Sequence, residues 1–212
     1  MTDYRTMSDL ATEAIRERLV MGYFPNGTRL VPSELEEQLN LGRMAIREAL
    51  RELVGSGLVI QKANKGVYVA APPTLSELDA LFDARCALEG KTAAVASTKI
   101  GKETLAALEG LYEEMELQDK PAAYYFLTNR KFHRTLYKAS EWSHAYVCIS
   151  HMLDQVLSYF LPRASEAQLD FSDFNREHRQ ILDAIHAQKH DEVHDLIVAN
   201  VSRGRKFMTS LK

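Results

Sequence analysis

The chain has 212 residues, 46% of them hydrophobic and 26% charged, a globular composition long enough for two modest domains. Its 26 basic and 29 acidic residues leave a formal net charge of −3, which excludes a uniformly basic nucleic-acid coat and a disordered acidic tail. No apolar run approaches the ~20 residues of a membrane-spanning helix, and the polar stretch Met1–Leu10 lacks the apolar core of a signal peptide.

The first elements are short. Leu10, Ala14, Leu19 and Val20 trace a helix of about four turns, stopped by Gly22 and the turn Pro25-Asn26-Gly27. Ser33 to Glu36 reads as a capping box, with Ser33 as N-cap of a helix through Leu39. After the turn Asn40-Leu41-Gly42, a third helix runs from Arg43 to Gly55 with an apolar stripe of Ile46, Leu50, Leu53 and Val54. Leu58–Gln61 and Gly66–Val69 read as two strands joined by Lys62-Ala63-Asn64-Lys65. This order is that of a winged helix-turn-helix. Pro72-Pro73 then forms a stiff linker, so the expected domains are residues 1–71 and 72–212.

The second part has helical period throughout. Six helices are expected near 75–99, 102–118, 121–139, 143–161, 172–188 and 190–210. Thr74 to Glu77 is a second capping box, and Gly101, Pro121 and Pro162 mark breaks. The fold class is thus mostly α: a winged helix-turn-helix followed by an all-α bundle of six to seven helices. Cys86 and Cys148 fall within helical periodicity and show neither a disulfide framework nor metal-ligand spacing. They are expected to be buried thiols in a reducing cytoplasm.

Charge is localised in the first part. Residues 1–71 balance at nine positives and nine negatives, yet Leu41–Lys65 carries Arg43, Arg47, Arg51, Lys62 and Lys65 against Glu48 and Glu52. Arg43 and Arg47 are four residues apart and share a helix face. The start of the second helix of a helix-turn-helix faces base edges, and arginine can grip a guanine edge or a phosphate there. Lys62 and Lys65 stand where a wing meets the DNA backbone.

The run Ala14–Ala70, centred on LNLGRMAIREALRELVGSGLVIQKANKGVYVA, resembles the DNA-binding domain of the GntR family of bacterial transcription regulators. The resemblance implies that Arg43 and Arg47 contact bases and phosphates, with Met44, Ser33 and Arg51 beside them, and that Gly66 is the wing glycine near the minor groove. Gly42 replaces a usual hydroxyl residue, Met44-Ala45 replaces Thr-Pro or Thr-Thr, and Ser33 stands where an arginine is frequent.

In the second part, polar residues fall on apolar stripes. Arg85 lies on the stripe of Leu78, Leu81, Phe82 and Leu88, Asn129 and His133 on that of Phe126, Leu136 and Tyr137. His178 shares a stripe with Ile181, Leu182 and Ile185, and Asn200 with Val193, Leu196 and Ile197. The last two helices form a hairpin near Lys189. His178 and Asn200, eleven residues to either side, would stand level about 16 Å from the turn. Four buried polar groups at one spot suggest a ligand or metal site. Tyr124, Tyr125, Tyr159 and Arg163 are further candidates for a pocket wall. His144, His151, His186, His190 and His194 fall on polar faces or turns.

Residues 75–210 resemble the FCD effector domain of the FadR-type branch of that family. The likeness is carried by Arg85 with Glu89, Asn129-x-x-Phe132-His133, and Glu177-His178 followed by Ile181–Ile185. It implies a divalent metal (zinc, nickel or manganese) at Asn129, His133, His178 and Asn200. Asparagine stands there in place of the usual carboxylate and of the last histidine. It also implies a small carboxylate effector held by Arg85 and the same four residues. The expected whole is a cytoplasmic, homodimeric, ligand-responsive regulator, in the main a repressor of a palindromic operator, with no membrane partner. The alternatives are a regulator with a structural or empty pocket, and a metal-dependent hydrolase. The chain lacks His-Glu-x-x-His, a phosphate loop and a nucleophile elbow, so no enzyme is expected.

Overall fold

The computed structural model describes residues 6–117, 120–164 and 170–210. Asp3 and Arg5 of the polar N-terminus, and the last residue of the helix expected over 102–118, lie outside them. The chain divides into two units. One runs to Pro73 and takes in Asp154–Pro162, while the other holds Thr74–Leu153 and the chain from Arg163.

The first unit contains α1 (Met7–Val20), β1 (Arg29–Leu30), α2 (Pro32–Leu39), α3 (Arg43–Gly55), β2 (Val59–Lys62) and β3 (Gly66–Val69). Thr6 and Asp9 cap α1 reciprocally, and Ala11, Ile15 and Leu19 bury one face. The start of α2 differs from expectation. Val31 occupies the cap position without a side-chain hydrogen bond, Pro32 opens the helix, and Ser33 is exposed inside the first turn. Proline is suited to that position because its missing N–H would have been unpaired there in any case. Asn40, with φ +51°, ends α2, and α3 begins after Gly42. Buried Ala45, Ile46, Ala49, Leu50 and Leu53 turn Arg43, Met44, Arg47 and Arg51 outward.

The sheet is antiparallel in the order β1-β3-β2, with Arg29 opposite Tyr68 and Lys62 opposite Gly66. β1 has only two residues, too few for a periodic signal. Gly66 has φ +100°, and a Cβ there would come within 3.3 Å of Arg29 Nε, so the hairpin needs glycine.

Asp154–Pro162 belongs to α7 (Ser143–Ala164) and brings Val156, Leu157, Phe160 and Leu161 into the core. Within this unit Asp154, fully buried, pairs with Arg16, which also faces Glu52 at 3.3 Å and Glu13 at 3.5 Å. Gln155 Nε2 donates to the Ser56 carbonyl at 3.1 Å. Pro162, expected to break the helix, lies inside α7. Without an N–H it forgoes one helical hydrogen bond, and its ring comes close to Gly22.

The second unit comprises α4 (Leu75–Ser97), α5 (Lys102–Met115), α6 (Ala122–Lys138), the first half of α7, α8 (Ser172–His186) and α9 (His190–Ser210). Thr74 and Glu77 form the expected capping box. α4 packs on α6 and α9, α5 on α6 and α8, and α8 on α9. Gly90 lets α9 approach α4 closely, since a Cβ there would meet Val198 Cγ2 at 2.8 Å. Cys86 is half-buried. Cys148 is exposed, against expectation, because α7 turns Ile149 and Leu153 inward and leaves Val147 and Cys148 on its outer face. Among the described residues no helix is long and apolar enough to cross a membrane.

Candidate nucleic-acid interface and effector site

The first amides of a helix have no intrahelical partner. At α3 the cap is Gly42, which offers no side-chain acceptor, and the first turn holds no acid. That end therefore presents bare N–H groups and the positive end of the helix dipole, a ready phosphate site. Arg43 is largely exposed and pairs with Glu36 at 3.1 Å. Arg47 and Arg51 are exposed on the same helix, and Met44 is 67% exposed. On the hairpin, Lys62 lies over the Tyr68 ring at 4.3 Å, and the Tyr68 hydroxyl donates to the Lys65 carbonyl at 3.2 Å. Exposed Arg29, drawn to Gly66 by β1, adds a basic side chain that the sequence reading missed. Its only sequence signal is a Thr-Arg-Leu triplet after a glycine turn.

In the second unit α6, α8 and α9 bring Asn129, His133, His178 and Asn200 together. Asn129 Nδ2 lies 2.9 Å from His178 Nε2, and His133 Nε2 lies 3.3 Å from the same atom. Asn200 Nδ2 donates to Glu177 at 3.0 Å, and Arg203 closes on the other Glu177 oxygen. The hairpin arithmetic on α8 and α9 therefore gave the correct level.

The hydrogen-bond chain fixes the imidazole tautomers. Tyr137 donates its hydroxyl proton to Glu89 at 2.6 Å, and burial beside Glu89 holds that phenol well above its usual range. The Tyr137 oxygen is thus free only to accept, so His133 Nδ1–H donates to it at 3.0 Å. His178 Nδ1–H donates to the Phe174 carbonyl at 2.7 Å. Burial lowers both imidazoles to about 3, with Arg85's charge assisting at His133 and His133 itself at His178. Both rings are neutral at pH 7, both protons sit on Nδ1, and no proton is left between the two Nε2 atoms. The Asn200 side chain also reaches His133.

Lone pairs converging in this way fit a cation. Metal–imidazole bonds of about 2.0–2.1 Å set neighbouring nitrogens about 3.3 Å apart in a tetrahedral arrangement, which is the spacing seen here. Orienting acceptors behind each Nδ1 are the usual support for such ligands. Among the described residues no group of three or more His, Cys, Asp or Glu gathers to hold a metal, because amides fill the other two positions.

Arg85 stands apart from the four. Its guanidinium pairs with Glu89, Nε to Oε1 at 2.5 Å, both side chains being buried. Among the described residues its hydrogen bonds link it to the cluster through Glu89, Tyr137 and His133, while its charge acts on His133 directly. Tyr124 and Tyr125 line a cavity at the start of α6, whereas Tyr159 and Arg163 do not. His144 and His186 are exposed, and His151, His190 and His194 are half-exposed.

Comparison with known proteins agrees with this architecture. Residues 8–69 match the gntR family of bacterial regulatory proteins, and residues 80–203 match the FCD domain. The chain is 28% identical, over 88% of its length and 83% of the relative's, to a probable D-xylose utilization operon transcriptional repressor of Paenarthrobacter nicotinovorans. It is 24% identical to the uncharacterized HTH-type transcriptional regulator YdhC of Bacillus subtilis, over 88% and 84% of the two chains. Among solved structures, McbR/YncC of E. coli superposes with a TM-score of 0.81 at 20% identity, covering 97% of this chain and 98% of that one.

Proposed function

Since the chain belongs to the GntR family of bacterial regulatory proteins and carries the FCD domain, it is a ligand-responsive DNA-binding transcription regulator rather than an enzyme, and we propose that it acts as a homodimeric repressor in the cytoplasm. Residues 1–71 are the DNA-binding domain and 72–212 the effector and dimerisation domain. The bare N-terminus of α3 with exposed Arg43 and Arg47 carries this reading. Arg43, Arg47 and the first amides of α3 read bases and phosphates in the major groove, with Met44, Arg51 and Ser33 alongside. Lys62, Lys65 and Gly66 follow the backbone toward the minor groove. Two protomers then read a palindrome. Selection of bound duplexes from a randomised pool tests this: a recovered inverted repeat supports it, and a pool without enrichment overturns it.

The effector of this reading is a small carboxylate at Asn129, His133, His178 and Asn200. His133 and His178 hold a divalent ion such as zinc, nickel or manganese through Nε2, joined by the amide oxygens of Asn200 and, once its amide turns, Asn129. The ion supplies the positive centre for the carboxylate, because Glu89 already neutralises Arg85. Neutral amide oxygens are weaker donors than carboxylate or imidazole, so affinity is modest. Elemental analysis of untagged protein purified without chelator tests this: about one ion per chain supports it, and no uptake after soaking in zinc overturns it.

A further inference from the structure

The three-stranded sheet of the first unit has two unlike faces. Leu30, Val59 and Val69 turn into the core. Register sets Arg29 opposite Tyr68 and Tyr68 opposite Ile60, so these three side chains share the other face. Arg29 is exposed there, and so is Ile60. From its place beside Tyr68 the Arg29 side chain runs along the strand to the hairpin tip. Its Nε, Nη2 and Cζ lie 3.3, 3.7 and 3.9 Å from where a Cβ of Gly66 would stand. The missing side chain at Gly66 thus leaves room for the guanidinium as well as permitting the backbone turn.

The tip therefore carries Lys62, Lys65 and the Arg29 guanidinium together, and nothing nearby in sequence offsets them. Residues 18–33 and 53–76 contain no aspartate or glutamate. Among the described residues no carboxylate pairs with Arg29, whereas Arg43 of α3 is paired with Glu36. The three cations are not equivalent. Lys62 is held over the Tyr68 ring, and an ammonium is a strongly hydrated point charge suited to a phosphate. A guanidinium is planar and more weakly hydrated, so it enters a narrow groove at lower cost. The minor groove of A·T runs is narrow, and its enhanced negative potential draws arginine. Gly66 adds no bulk beside the guanidinium that would hold the groove walls away.

We propose that Arg29 enters the minor groove beside Gly66 and selects A·T pairs there, a specificity-determining residue additional to those of α3. The proposal rests on the DNA-binding reading above. Anisotropy titration of the full chain with the duplex recovered by selection tests it. 2,6-Diaminopurine replaces adenine at one A·T pair at a time, which puts an amino group into the minor groove and leaves the major-groove edge as it was. At one or more positions the wild-type chain should bind about tenfold more weakly. Arg29→Ala should bind the two duplexes alike. Arg29→Lys should keep the salt dependence yet lose most of the difference. Arg47→Ala, acting in the major groove, should bind more weakly overall and keep the difference. Equal penalties in wild type and Arg29→Ala would overturn the proposal, as would no penalty at any position. A uniform weakening by Arg29→Ala on every duplex, with the salt slope smaller by about one, would assign Arg29 to a phosphate and overturn it too. Unchanged affinity in both Arg29→Ala and Arg47→Ala would instead bring down the DNA-binding reading itself, and the proposal with it.

Discussion

His133 and His178 point their unprotonated Nε2 atoms at each other across 3.3 Å. Each Nδ1 proton is already committed, one through Tyr137 toward Glu89 and the other to the Phe174 carbonyl. The pair is therefore organised before any ligand arrives, and its cost is that both rings must stay neutral.

That cost appears as a dependence on pH. Both imidazoles fall to about 3 on folding, from about 6.5 in the unfolded chain. Above pH 6.5 neither state binds a proton there, so the full stability is present. Below it the unfolded state takes up protons that the folded state refuses. Stability should fall as pH drops from 6.5 toward 3, by up to about 1.4 kcal/mol per pH unit for each imidazole. Urea unfolding across that range checks this. His133→Gln and His178→Gln should each flatten the slope, and an unchanged slope in both would disprove the assignment.

Arg47→Ala removes an exposed guanidinium from α3. Operator affinity by fluorescence anisotropy should weaken by about 1–3 kcal/mol if the arginine grips a base. If it grips a phosphate, the slope of log affinity against log salt should shrink by about one. No change in either quantity would remove Arg47 from the interface.

Asp154→Asn takes the full charge from a buried partner of Arg16. Breaking a buried pair costs about 3–5 kcal/mol. Glu13 and Glu52 remain near Arg16, so the lower end of that range is expected. Chemical unfolding measures it, and a Thr12→Val control, which keeps the buried side-chain volume and loses the hydrogen bond to Glu52, should cost much less.

Gly90→Ala places a methyl group 2.8 Å from Val198 Cγ2. Overpacking of that kind costs about 1–3 kcal/mol. Adding Val198→Ala should recover part of the loss, whereas additive losses in the double mutant would show that α4 and α9 do not meet there.

Where residue type dictates backbone form, the sequence reading held. Thr74 and Glu77 cap α4, Arg43–Gly55 is α3, and Gly66 takes the positive φ that only glycine accepts readily. It erred where two local rules competed. Ser33 yielded the helix start to Pro32, and Pro162 lies inside α7 with its ring against Gly22. Cys148 shares its helical periodicity with buried neighbours yet faces outward, a matter of phase that packing settles. β1 is legible only once β3 lies beside it.

The candidate site divides in the same way. Helical period placed Asn129, His133, His178 and Asn200 inward, and the α8–α9 hairpin set two of them level, because rise per residue is fixed by backbone geometry. Which nitrogen of each imidazole carries the proton, and the way Tyr137 ties His133 to Glu89, depend on side chains from separate helices meeting at hydrogen-bond distance. Such contacts leave no periodic trace along the chain. The sequence determined the kind of protein and the faces its helices bury, and tertiary packing alone decided which polar atoms meet across helices and where each shared proton sits.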